Sequence, residues 1–536
     1  MTFSFRAFRR LPLALAIAAT ACVATAQDAQ RLPQLGSSAN ALLTTEEARQ
    51  IGASMLFQMR ALDMLTDDPL LDRYINELGY RLVAHAGIQK GMRFTFFVVR
   101  DSEINAFAAP GGYIGVNAGL ITATENESEL ASVLAHEIAH VTQHHLERAE
   151  EDARKMSPLL ALAMLGAVVA STQGAGDAGP AAVASGMGLI AQRQINFTRK
   201  DEAEADRIGI NTLAAAGFDV DGMARFFGRM DRLMRPGSGG MDVPEFLRTH
   251  PVNTNRISDA KALAYVIHQK QAREPRRHIG EQVEWTDSTA PLAWLRSPEA
   301  LKVAGSDDGT DYRLMRERAR VLSAPRGTDM LAYYRNNLAH THEFDNDANR
   351  YGYALALTRA NQGDKALKEL APLLQKKPLR LALELAQADA ELRAGRRQAA
   401  LDAYVALAKK RPADRVVAGA YADALLSSGS DAKDARKAAD LLRSLLDENV
   451  DDPALYRTYG NACERSGQHV RAAEAFADAT YLSGHATDAL NQLQRLLKRN
   501  DLDYYERARI QARIEFITPI ALELARRGIS ADRQGR

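Results

Sequence analysis

Between residues 125 and 150 the chain reads ENESELASVLAHEIAHVTQHHLERAE, and Leu130, Val133, Leu134, Ile138, Val141 and Leu146 recur there at near-helical spacing. Acidic residues open the run and Arg148 closes it, as the helix dipole favours, so a helix is expected. RKDEAEADRIGINTLAAAGF, residues 199–218, has a similar helical reading. In contrast, YIGVNAGLI alternates and follows Pro110-Gly111-Gly112, which predicts a strand that ends just before the first helix.

From about residue 310 the pattern is almost purely helical, and it repeats. GYALALTRANQGDKALKELAPLLQKKP aligns with ALELAQADAELRAGRRQAALDAYVALAKKRP; the closing prolines, Pro378 and Pro412, lie 34 residues apart. Gly363 and Gly395 are expected between the two helices of each unit, with weaker copies around Gly429 and Gly467. This period, with small residues where helices meet, is that of tetratricopeptide (TPR) repeats, which stack into a solenoid able to bind peptides or proteins. The expected class is α+β: a mainly helical zincin-like domain with a small sheet, then an α-helical TPR solenoid. The expected divisions are a leader at 1–26, a first domain at 27–265, a connector at 266–309 carrying Pro275, Pro291, Pro298 and both tryptophans, and repeats at 310–536.

The leader has Arg6, Arg9 and Arg10, an apolar run, and Ala24-Thr25-Ala26, the form of a secretory signal cleaved after Ala26. Lipid attachment at Cys22 is the alternative. Cleavage after Ala26 leaves Cys463 as the one cysteine of the mature chain, and the periplasm of a bacterium is the natural address. With 68 basic against 67 acidic residues, charge offers no case for nucleic acid as a partner.

The candidate chemistry lies in HEIAH. His136 and His140 are four apart and leave one face of the helix, while Glu137 can hold and deprotonate a water on the same ion, the arrangement of a zinc-dependent hydrolase. His144 is eight residues from His136, about 12 Å along the axis, too far to be a third ligand; His144 and His145 are expected to cap, to be solvated or to contact the rim. A third ligand must come from elsewhere. Glu202 can close a His₂Glu site that leaves a position for water, with Asp206, one turn on, fixing a ligand's orientation. The strand at Gly115, Val116 and Asn117 is expected as an edge that pairs with an extended substrate backbone. In residues 157–191, the strongly apolar run 159–170 is shorter than the roughly 20 residues that span a bilayer, so a helical hairpin over the site, or one touching a partner or the membrane surface, is expected.

HEIAH, Glu202-Ala203-Glu204-Ala205-Asp206 and, upstream, INAFAAPGGYIGVNAGLI (Ile104 to Ile121) resemble the M48 family of zinc metallopeptidases over about residues 45–265. The resemblance implies one Zn²⁺ per chain and makes Glu202, rather than Glu204, the third ligand. In the periplasmic members a histidine matching His250, in Thr249-His250-Pro251 with Arg256 beyond, can occupy the zinc's open position and hold the enzyme latent. Oxyanion stabilisation by His250 or Arg256 is the other role open to them. Those members imply quality control of misfolded or stalled outer-membrane proteins, with the repeats recruiting substrate or the β-barrel assembly machinery. A chaperone or scaffold with a vestigial or structural zinc site is the competing expectation.

Overall fold

The computed structural model describes residues 44–88, 91–149, 151, 198–233, 244–273, 309–324, 327–376, 378–412, 414–446 and 451–526. The leader, the apolar run 157–191 and most of the connector lie outside the described residues. Among the described residues no helix is long and apolar enough to cross a membrane.

The first domain begins with α1 (Thr45–Ala61) and α2 (Pro69–Val83). Asp68 starts α2 sharply, accepting from the Leu71 N–H, while Pro69 supplies a pre-set φ at the first turn. Three short strands follow: β1 (Thr95–Val99), β2 (Ala106–Ala109) and β3 (Tyr113–Asn117). The β2–β3 hairpin turns at Gly111 and Gly112, both in the left-handed region; a Cβ on Gly112 would stand 1.9 Å from the Arg93 carbonyl oxygen. The order is β1-β3-β2, with β3 parallel to β1 and antiparallel to β2.

This order corrects one expectation. Gly115, Val116 and Asn117 belong to the central strand, paired on both sides, and cannot accept an added strand. The edge is β2. Asn117 N–H bonds the Asn105 carbonyl, so by antiparallel alternation Phe107 and Ala109 face β3 while Ala106 and Ala108 turn their backbone groups outward.

Next come α3 (Ala118–Ala123) and α4 (Glu127–Thr142), then α5 (198–215), α6 (Asp221–Leu233), the short α7 (Glu245–Thr249) and α8 (Thr254–Arg273). Asn126 caps α4 by accepting from the Glu129 N–H. Helix α8 runs unbroken through residue 265, so the boundary expected there falls inside a helix.

The second domain comprises α9 (Thr310–Ser323), α10 (Gly327–His340), α11 (Asp347–Arg359), α12 (Gly363–Leu374), α13 (Leu381–Arg393), α14 (Arg397–Lys410), α15 (Arg415–Leu425), α16 (Ala432–Leu446), α17 (Pro453–Arg465), α18 (His469–Leu482), α19 (Ala486–Leu497) and α20 (Tyr504–Arg526). Helices α11, α13 and α15 start 34 residues apart, as the repeat requires. The left-handed corner between paired helices falls at Asn361, Gly395 and Gly429. Gly363 has another role: it opens α12, where a Cβ would meet Ala394 N at 2.3 Å.

The repeats do not hang free of the first domain. One continuous apolar core runs from Leu70 and Val133 through Tyr312 and Leu385 to Cys463. Polar ties reinforce it. The Arg318 guanidinium donates to both oxygens of Asp68, each at 2.6 Å, and Arg73 pairs with Asp414 at 2.8 Å. Tyr312 donates its hydroxyl to the Thr124 carbonyl at 2.6 Å, next to the entry of α4. Asp68 both caps α2 and receives Arg318, and burial of the pair means that removing one partner strands a charge. Arg318→Ala is therefore expected to cost about 3–5 kcal/mol in chemical denaturation, with the two domains still melting together; a loss below about 1 kcal/mol, the level of a surface pair, would show the tie to be superficial.

Candidate metal centre

Helix α4 is buried over most of its length, and it carries His136 and Glu137 into the interior at 1 % exposure each. His136 and His140 leave the same face, and their Nε2 atoms stand 2.9 Å apart. Helix α5 packs opposite: Gly209 is close enough that a Cβ would meet the His136 backbone N at 3.2 Å, which lets Glu202, one face along, reach both rings. Glu202 Oε2 lies 3.4 Å from His136 Nε2 and Oε1 lies 3.4 Å from His140 Nε2.

A fourth group comes from α7. His250 ends that helix, donating its backbone N–H to the Phe246 carbonyl, and its ring leans on the buried Phe246 ring with centroids 5.2 Å apart. His250 Nδ1 is thereby placed 3.0 Å from Glu202 Oε1 and 3.3 Å from His136 Nε2. One ligand atom from each of His136, His140, Glu202 and His250 lies within 4.8 Å of all the others. Ligands bound about 2.1 Å from a tetrahedral ion stand about 3.4 Å apart, so these separations fit a divalent cation of zinc's size and donor preference.

Behind this set sits Arg256. It is buried, donates from Nε and Nη2 to the two oxygens of Asp206 at 2.7 Å each, places Nη1 2.8 Å from Glu202 Oε2, and stacks over Phe227. Asp206 Oδ1 in turn faces His136 Nδ1 at 2.9 Å. Asp206 thus backs the His136 ring, and Arg256 orders the two carboxylates of Asp206 and Glu202. Glu204 turns away to His145 and Arg148, leaving Glu202 as the α5 acid at the rings.

Electrostatics follow from burial. Desolvation works against a charged His136, but the hydrogen bonds to Asp206 and Glu202 outweigh it and hold its pKa up to about 10. Burial pushes His140 down to about 3. Glu202 is held well below the usual carboxylate range, because His136, His140 and His250 outweigh the burial that opposes them. Burial pushes Glu137 up, against the positive influence of His250 and His136 and a hydrogen bond from the Ala108 backbone. Glu137 Oε1 is buried without a hydrogen-bond partner, 3.5 Å from His250 Nε2.

Sequence reasoning missed one residue here. His145, expected at the rim, is 3 % exposed, and its Nδ1 stands 2.8 Å from His140 Nδ1. No helical register could have found it, because α4 stops at Thr142 and His144 adopts a left-handed φ of 55°.

Two converging histidines on one helix, an acid from a second helix and a buried carboxylate beside them define a metallopeptidase of the HExxH type. Residues 69–264 match peptidase family M48. The chain is 31% identical over 493 residues to the β-barrel assembly-enhancing protease of Escherichia coli, covering 92% of each chain. It is 40% identical over 302 residues to the putative β-barrel assembly-enhancing protease of Vibrio cholerae, where the match covers 54% of this chain and 60% of that one. It is 32% identical over 184 residues to mitochondrial metalloendopeptidase OMA1 of Schizosaccharomyces pombe, covering 34% and 50%. The chain belongs to peptidase family M48, whose members are zinc-dependent in general.

A proton and a metal compete for His136 Nε2, and the neighbouring carboxylates keep that proton on near neutral pH. Zinc binding to the metal-free protein at pH 8 should therefore release about one proton. Calorimetric titrations in buffers of different ionisation enthalpy measure this; a heat independent of buffer would contradict the site's electrostatics.

Proposed function

We propose that the protein is a zinc-dependent endopeptidase of the bacterial cell envelope, acting in the periplasm after export by its leader, in which His136, His140 and Glu202 hold the metal. The observation that carries this reading is the convergence of those three side chains, from two helices, on one point beside Glu137. Zinc held there polarises a carbonyl and lowers the pKa of a bound water. Glu137, kept in a dry site with one oxygen unpartnered, takes the proton of the attacking water and returns it to the leaving amine. Asp206 and Arg256 fix the ligand geometry.

The substrate backbone is proposed to add to β2, at Ala106 and at the Ala108 carbonyl, the Ala108 N–H being held by Glu137. In support, the next outward group on this edge, the Ile104 carbonyl, already accepts from the Phe246 N–H at 3.0 Å. The segment that carries His250 thus occupies both the edge and the fourth ligand position, which favours a latent state with His250 as a displaceable ligand. Residues that bind an edge strand must present an extended chain, so loosely folded proteins are the substrate class. The curated relatives are named for enhancing β-barrel assembly; by that likeness, stalled or misfolded outer-membrane β-barrel proteins are the proposed substrates, and the helical repeats are proposed to meet them or the machinery that assembles them.

One observation favours a second reading. A fourth protein ligand closes the coordination set, as in structural zinc sites, so a chaperone with a permanently closed site has support from His250. Two variants separate the readings. Glu137→Gln should keep zinc yet lower proteolysis of an unfolded substrate by roughly 10²–10⁴-fold, the weight of a general base. His250→Ala should raise proteolysis if the residue is a displaceable ligand; loss of both zinc and fold in His250→Ala, with no proteolysis by the wild type, would establish the closed structural site.

A further inference from the structure

The structure assigns to His145 the task of fixing the ring of His140 as a metal ligand, through a hydrogen-bonded chain that runs from His140 to Glu204 and Arg148. This inference rests on the reading that His140 is a ligand. Its geometry is independent of that reading.

The backbone shows how His145 gets there. In a continuous helix a residue five positions after His140 would point about 140° around the axis from it. Instead α4 ends at Thr142, Gln143 donates its N–H to the Ala139 carbonyl, and His144 donates to the Val141 carbonyl with φ at 55°. A non-glycine residue in the left-handed region costs of order 1 kcal/mol and persists where surrounding contacts over-determine it. Here the left-handed step swings the next residue inward. His145 Nδ1 then meets His140 Nδ1 at 2.8 Å, with the rings at 80° to one another.

Proton counting sets the direction of the chain. His140 turns Nε2 to the ligand cluster, and a ligand nitrogen must carry a lone pair, so its proton sits on Nδ1. That Nδ1–H donates to His145 Nδ1, which accepts, leaving the His145 proton on Nε2. His145 Nε2–H donates to Glu204 Oε2 at 3.1 Å. Arg148 Nη1 holds the same oxygen at 3.1 Å and Arg148 Nη2 holds Asp201 Oδ1 at 3.2 Å. Each contact has one donor and one acceptor, and the chain ends on a carboxylate neutralised by a guanidinium. His145, Asp201 and Glu204 also lie close enough to be considered as ligands for a cation of their own. Arg148 already lies between the two carboxylates, within 3.2 Å of each, where such a cation would compete with it, and the cluster is assigned to the first site.

The two histidine ligands are thus steadied differently. His136 backs onto the carboxylate of Asp206, whereas His140 backs onto a neutral imidazole that passes the interaction on to Glu204. His145 is a positioning residue and does not meet substrate.

The test uses full-length protein stripped of metal and titrated with Zn²⁺ against a competing chelator, with the metal-free melting temperature as a control for folding. His145→Leu keeps the bulk and removes the acceptor; loss of an outer partner of a ligand histidine is expected to weaken zinc affinity roughly 10–100-fold. His145→Gln, whose side chain can still accept from His140 and donate to Glu204, should recover most of that loss. Cobalt-loaded His145→Leu should show a shifted visible absorption band. A folded His145→Leu that binds zinc as tightly as the wild type overturns the inference, and so does an equal loss in His145→Leu and His145→Gln, which would show packing alone. Where His145→Leu gives no cooperative melt, Glu204→Leu carries the test: weakened zinc affinity supports the chain, and unchanged affinity overturns it. A wild type that binds no zinc would instead remove the metal reading itself.

Discussion

The arrangement depends on bringing three buried carboxylates, Glu137, Glu202 and Asp206, into one small volume. Unbalanced, they would repel one another in a medium where charge is costly to bury. Arg256 meets two of them, reaching Asp206 with two nitrogens and Glu202 with a third. The Arg256 guanidinium and a protonated His136 offset two of the three charges, and on the proposed reading a divalent cation would take the place of that proton. The negative charge left over is what, on the proposed reading, favours a dication between the two histidines.

Much of this was legible in the sequence, and the residues show why. HEIAH announces itself because its spacing matches the helical period, and the repeats do so because the 34-residue period survives in the helix starts at 347, 381 and 415. What failed was long-range or against the local pattern. Strand order depends on which strand finds which partner, so alternation in Tyr113–Asn117 revealed a strand but not that β3 lies in the middle. The left-handed corner passes from Asn361 to Gly395 and Gly429, and a search for glycine alone settles on Gly363 two residues away. His144 breaks its helix with no glycine, asparagine or proline to announce it, and that break hid the inward turn of His145.

The helical repeats and the peptidase domain share one core, with Tyr312 hydrogen-bonded to Thr124 at the threshold of α4 and Arg318 bound to the cap of α2. Farther along, Arg60 of α1 donates to the Leu482 and Asp451 carbonyls, and Phe57 meets the Tyr481 ring. Residues of the array's first helix and of its α17–α18 region therefore both bear on the first domain. Strain in the array would thus reach α2, which packs against α4, and α1, which packs against the sheet.

The segment 244–250 joins the two halves of the site. Its Phe246 backbone caps the Ile104 carbonyl just before β2, its Phe246 ring is buried against Phe226, and its last residue reaches the histidine–glutamate cluster. Displacing His250 from a metal would open a coordination position, and the same movement would free the edge beside Ala106 and Ala108. On the proposed reading, strand addition by a substrate and loss of the fourth ligand are thus opposed by one short helix. An extended chain that gains several backbone hydrogen bonds along β2 can offset the single contact between Phe246 and Ile104, whereas a folded protein, with its strands already paired, has none to offer. On the proposed reading, selection of loosened chains over folded ones then follows from the geometry of the edge rather than from a side-chain pocket.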